Sequence, residues 1–93
     1  MAIPGMRWGM VKIIVHRIIN RYVLSARVCG SNALLRFRFK YPFNTLKVKP
    51  GLEIEVLDCE FSNTTKLINC SIINDNSIMQ CHKRTFMDLI HDF

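Results

Sequence analysis

The chain has 93 residues, which bounds it to one domain, and its 49% apolar content argues against global disorder. No apolar run approaches the roughly 18–20 residues that a membrane-spanning helix needs. The net charge of +6 divides unevenly: residues 1–52 carry ten Lys/Arg and no acid, while residues 53–93 carry seven acids and three bases. Such asymmetry points to a polyanionic partner, nucleic acid first, with a merely solubilising basic surface as the other reading. A chain this short buries only roughly 60–65% of its unfolded surface, so a protein partner or a second copy is expected to help complete the core.

Residues 1–9, with Pro4, Gly5 and Gly9, read as an irregular arm leading into a β domain over 10–80. Residues 11–28 are dominated by β-branched side chains, which favour strands. They predict one long bent strand or two strands meeting near Asn20. Cys29-Gly30-Ser31-Asn32 is a turn. In the next segment Leu35, Phe37, Phe39 and Tyr41 alternate with Arg36, Arg38 and Lys40, so one face is apolar and the other cationic. Pro42 ends it. Leu46 and Val48 then alternate with Lys47 and Lys49 before Pro50-Gly51 turns the chain.

Residues 52–61 predict a strand whose apolar set changes phase, from Ile54 and Val56 to Leu57, Cys59 and Phe61, as a bulge would produce. A two-residue loop at Asn63-Thr64 would then oppose Phe61 to Lys66, Cys59 to Ile68 and Leu57 to Cys70. Asn74-Asp75-Asn76 is a turn, and Ile78-Met79 a short edge strand. A helix is expected over 85–93, capped by Thr85 with Asp88 three residues on. Phe86, Leu89, Ile90 and Phe93 form its apolar stripe, which plugs the chain's own barrel or docks on a protein partner.

The alternating basic strand is the sharpest candidate site. Arg36, Arg38 and Lys40 can lie along phosphates, with Lys47 and Lys49 just downstream, each neutralised phosphate releasing a counterion. Tyr41, Phe43 or Trp8 would stack a base if exposed, and would otherwise pack in the core. Four cysteines, Cys29, Cys59, Cys70 and Cys81, show no paired close spacing of the kind zinc sites use, and they read as buried structural thiols. The spacing leaves a Cys59–Cys70 disulfide conceivable in an oxidising compartment. His16, His82 and His91 lack an evident nucleophile and orienting acid, so no enzyme, metal or cofactor is expected. No convincing signal peptide leads the chain, which reads as intracellular, cytoplasmic or nuclear. An acid-poor start would also suit an organelle leader.

About five curved strands, a bulge after Pro-Gly and a short helix together resemble an OB-fold, with Val48-Lys49-Pro50-Gly51-Leu52-Glu53-Ile54-Glu55-Val56 similar to the lead into its central strand. The strand after the first turn lacks the expected glycine for closing the barrel. The resemblance implies a small five-stranded barrel or curved sheet that carries single-stranded RNA or DNA on its second and third strands. Arg36, Arg38 and Lys40 would be the first residues on that face, and Tyr41, Lys47 and Lys49 join them as candidate contacts through charge and stacking. The alternative is an accessory interaction protein, viral ones included, that docks through its apolar surface and terminal helix.

Overall fold

The computed structural model describes residues 7–79. The helix expected over 85–93, with its partner-binding residues Phe86, Leu89, Ile90 and Phe93, lies outside the described residues, as do Cys81, His82 and His91. Five strands are present: β1 (Arg7–Ile18), β2 (Val23–Val28), β3 (Leu34–Phe39), β4 (Glu53–Phe61) and β5 (Ile68–Cys70). They close into a barrel in the order β1-β2-β3-β5-β4, in which β3 and β5 are parallel and the other described pairs antiparallel. This mainly β architecture is compatible with an OB-like fold.

The β-branched stretch resolves into two strands because Asn20 breaks it. Its side-chain Oδ1 accepts hydrogen bonds from the backbone N–H groups of Tyr22 (2.8 Å) and Val23 (3.0 Å), which reverses the chain. Residues 7–9, read from composition as part of an irregular arm, belong instead to β1, which pairs with β4 through Arg7↔Glu60 and Trp8↔Cys59.

Period-two alternation fills the interior. Ile13 and Val15 of β1, Leu24 and Ala26 of β2, Phe37 and Phe39 of β3, and Ile54 and Val56 of β4 are buried. The expected phase change in β4 occurs, as Val56 and Cys59 both point inward. Yet β4 stays in step with β1 across it, from Met10↔Leu57 to Trp8↔Cys59. The change is made locally by Asp58, whose φ of 53° is left-handed.

Two connections differ from the sequence reading. The β4–β5 turn is longer than two residues. Ser62 N–H donates to Leu67 O and Lys66 N–H to Ser62 O, both at 2.8 Å, with Lys66 at φ 60°. The register is therefore Phe61↔Ile68 and Glu60↔Asn69, two residues away from the one a tight loop would set. The segment around Leu46–Lys49 forms no strand; it is a turn in which Leu46 is 81% exposed and Val48 is buried. Phe43 and Met79 make a bridge that brings the chain after β5 back across the barrel end, and Phe43 meets Phe39 edge-on at 5.7 Å.

Candidate nucleic-acid interface

Strands β1, β2 and β3 all come from the acid-free half of the chain, so their shared outer face carries only cations, neutral polar groups and apolar side chains. On β3, alternation turns Arg36 and Arg38 outward while Phe37 and Phe39 go in. On β1, strict alternation after Ile13 and Val15 would send Arg17 inward. A bulge prevents this, because the register slips between Val15↔Ala26 and Arg17↔Ser25. His16 and Arg17 are both exposed as a result.

The registers then align three strands. Arg17 of β1, Ser25 of β2 and Arg36 of β3 form one row. The neighbouring row is Ile14, Arg27 and Leu34, and on the other side Val23 lies opposite Arg38. A groove of ≈ 330 Å³ follows the central row, lined by His16, Arg17, Ile19, Ser25, Leu34 and Arg36. Leu34 and Ile19 are 52% and 42% exposed, giving apolar shoulders beside the two guanidinium groups. Among the described residues, no ion pair engages Arg17, Arg27, Arg36 or Arg38.

The acids of β4 divide: Glu53 pairs with Ile14 and so ends the neighbouring row beyond β1, and Glu55 pairs with Lys12. Asp58 and Glu60 stand across β5 from the end of β3, in a second groove of ≈ 350 Å³ shared with Arg38, Lys40, Asn69 and Ser71. Glu60 is engaged from the other side by Arg7, Nη2 to Oε2 at 3.4 Å. Asp58 and Glu60 temper the potential at Lys40 and at one side of Arg38, while Glu53, beyond Ile14, tempers the β1 edge of the face; no acid lines the Arg17–Arg36 groove itself.

The residues singled out from sequence therefore separate. Arg36 and Arg38 share the β1–β2–β3 face. Lys40 faces the mixed-charge groove, with its ammonium 5.7 Å from the Tyr41 ring centroid. Tyr41 is half-buried against the core, and Phe43 is fully buried, so Phe43 is core and not a stacking platform. Lys47 and Lys49 sit in the β3–β4 connection and not on a strand, and the end of that connection meets β1, where Gly51 N–H donates to Val15 O at 2.8 Å. Lys47 acts on Asp75, whose carboxyl is held below the usual carboxylate value mainly by hydrogen bonds from the Ser77 hydroxyl (2.6 Å) and backbone N–H (3.0 Å), and also by that lysine.

Sequence reasoning missed Arg17, Arg27, Arg21 and Tyr22. The signal for Arg17 was present in His16-Arg17, two consecutive polar residues interrupting an apolar alternation, as a bulge requires. Tyr22 is 37% exposed in the β1–β2 turn, with the Arg21 guanidinium 5.3 Å from its ring centroid. Cys59 and Cys70 are buried as expected, but Cys29 is exposed. No group of three metal-ligating side chains occurs among the described residues. No protein-family model, curated protein or solved structure matches this chain.

Proposed function

We propose that this chain is a non-enzymatic module that binds single-stranded nucleic acid through the outer face of β1, β2 and β3, alone or as a subunit of a nucleoprotein complex. The observation that carries this reading is the Arg17–Ser25–Arg36 row, set in a groove without acids and continued by Arg27 and Arg38. Two guanidinium groups either side of a hydroxyl suit a phosphodiester, because each arginine presents a planar fork of donors.

The aliphatic shoulders favour a single strand. Leu34 and Ile19 offer apolar contact to a base or sugar, which a duplex keeps within its own stack. Tyr22, exposed in the β1–β2 turn, adds a face on which a base can stack, worth about 1–3 kcal/mol. The strand order also supports an OB-like reading, in which the second and third strands carry the ligand. Binding rests on charge and stacking, with little base readout.

Four cations at this face correspond to a slope of log K on log salt of about −2.8 for a single strand. The test is fluorescence anisotropy of a labelled oligonucleotide against the full chain, titrated across salt and repeated with duplex. Salt-sensitive binding that favours the single strand supports the reading. Absence of binding at low salt, or affinity indifferent to salt, overturns it.

A further inference from the structure

Cys59 of β4 and Cys70 of β5 lie away from the basic face. The register Phe61↔Ile68, Glu60↔Asn69 sets Cys59 opposite Cys70 when carried one residue further. Both are buried, at 1% and 4% exposure, and neither is bridged. The Cys59 side chain also acts on the Cys70 thiol, raising it above its ordinary value. Each sulfur also lies near a carbonyl of its own strand, Cys59 Sγ 3.8 Å from Leu57 O and Cys70 Sγ 3.9 Å from Ile68 O.

Residues directly opposite on antiparallel strands hold their Cβ atoms about 4.5–5.5 Å apart. A disulfide needs about 3.5–4.5 Å. A small approach of the two strands therefore suffices. The location gives such a bond a consequence. β5 spans only Ile68–Cys70, yet it joins β3 to β4 and closes the barrel. Grooves reach the pair from two sides. Cys70 lines the one between Lys40 and Asp58, and Cys59 lines one of ≈ 270 Å³ beside Trp8 and Arg7.

We propose that Cys59 and Cys70 are a site of oxidative modification, forming a cross-strand disulfide that fastens β5 to β4 and locks the barrel closed. The oxidant is a low-molecular-weight disulfide such as oxidised glutathione. One cysteine thiolate attacks it, forming a mixed disulfide and expelling one glutathione thiolate. The second cysteine thiolate attacks the mixed disulfide and expels the other. The two protons lost by the cysteines pass to the two glutathione thiolates, so one disulfide is reduced as the other forms.

The contact with Cys59, reinforced by burial, pushes the Cys70 thiol upward and keeps it protonated. Thiolate is scarce while β5 is seated, so exchange runs through transient lifting of this short strand. The bond is accordingly slow to form, and it records sustained redox poise in place of brief oxidant pulses.

The test uses the full chain carrying Cys29→Ala and Cys81→Ala, equilibrated over a series of reduced-to-oxidised glutathione ratios. Intact mass, peptide mapping and thermal melting are read at each ratio. The expected result is loss of two hydrogens, a mapped Cys59–Cys70 link, and a Tm raised on the order of 10 °C over the reduced protein. Mild denaturant below the unfolding transition should speed formation. Recovery of reduced protein or glutathione adducts alone at every ratio overturns the proposal. So does a link formed without a rise in Tm. The four-cysteine chain provides the second measurement, where a preferred link through Cys29 or Cys81 also overturns it.

Discussion

Arg17 and Arg36, on strands that do not pair with each other, flank Ser25 in one row, and they do so because β1 bulges between Val15 and Arg17. Without the extra residue, Arg17 would share the inward face of Ile13 and Val15, where an unpaired guanidinium is strongly unfavourable. The bulge thus keeps charge out of the core and places it on the face of β3 that is already basic.

Arg17→Ala and Arg36→Ala should each lower the magnitude of the salt slope for single-strand binding by about 0.7 and weaken binding across all sequences alike. Both side chains are exposed, so the circular dichroism melt should be unchanged. Lys49→Ala, in the β3–β4 connection, should have a smaller effect. Anisotropy titrations of the three variants at matched salt check this ordering.

Lys66 occupies the left-handed region at φ 60°, where a side chain with a Cβ is disfavoured by roughly 1–2 kcal/mol. Its ammonium bond to Asn63 Oδ1, 2.7 Å long, is exposed and contributes little. Lys66→Gly should therefore stabilise the protein, by about 0.5–1 kcal/mol after the entropy of the unfolded glycine is counted. Gly51 gives the converse. Its φ is 90° and nothing lies within 4 Å of an added Cβ, so Gly51→Ala should destabilise through the backbone alone, by about 1 kcal/mol. Urea denaturation measures both.

Phe37 is fully buried at the centre of β3. Phe37→Ala removes its transfer energy and leaves a cavity, a loss of about 3–5 kcal/mol. In a domain of this size that is a large share of the total stability. Leu46, at 81% exposure, should be replaceable by Ala within about 0.5 kcal/mol. Chemical denaturation of both variants distinguishes core from surface.

The Asp75 carboxyl is held below its unfolded value, first by the Ser77 hydroxyl and then by the Ser77 backbone N–H, with Lys47 assisting. A depressed folded value means that the stabilisation is present above the unfolded carboxylate value and is lost as pH falls through the folded one. The Asp75 contribution is expected to be small because the group is exposed. Tm measured from pH 6 down to about 2 should decline less steeply in Asp75→Asn than in the parent. Ser77→Ala should likewise flatten that decline, because losing the hydroxyl bond brings the folded value of Asp75 closer to the unfolded one.

Much of the barrel was legible in the residues themselves. The strand Leu35–Tyr41 announced its two faces because side chains on an extended chain alternate, and both Phe37 and Phe39 are buried while Arg36 and Arg38 are exposed. The phase change after Val56 was visible for the same reason. The turn between β4 and β5 was not. Its register depends on a left-handed residue at Lys66, and lysine gives no sign of that conformation in the way glycine or asparagine does.

Composition by itself determined that β1, β2 and β3 would carry no acid, since none occurs before Glu53. Alternation determined which cations on β3 face outward. Only the tertiary structure decided which cations become neighbours. Cross-strand register joined Arg17 to Arg36, set Asp58 and Glu60 beside Lys40, and brought Cys59 against Cys70. These relationships depend on how closing a barrel staggers distant segments. A local pattern records the direction of each side chain but not the identity of the residue that the closed sheet brings to meet it.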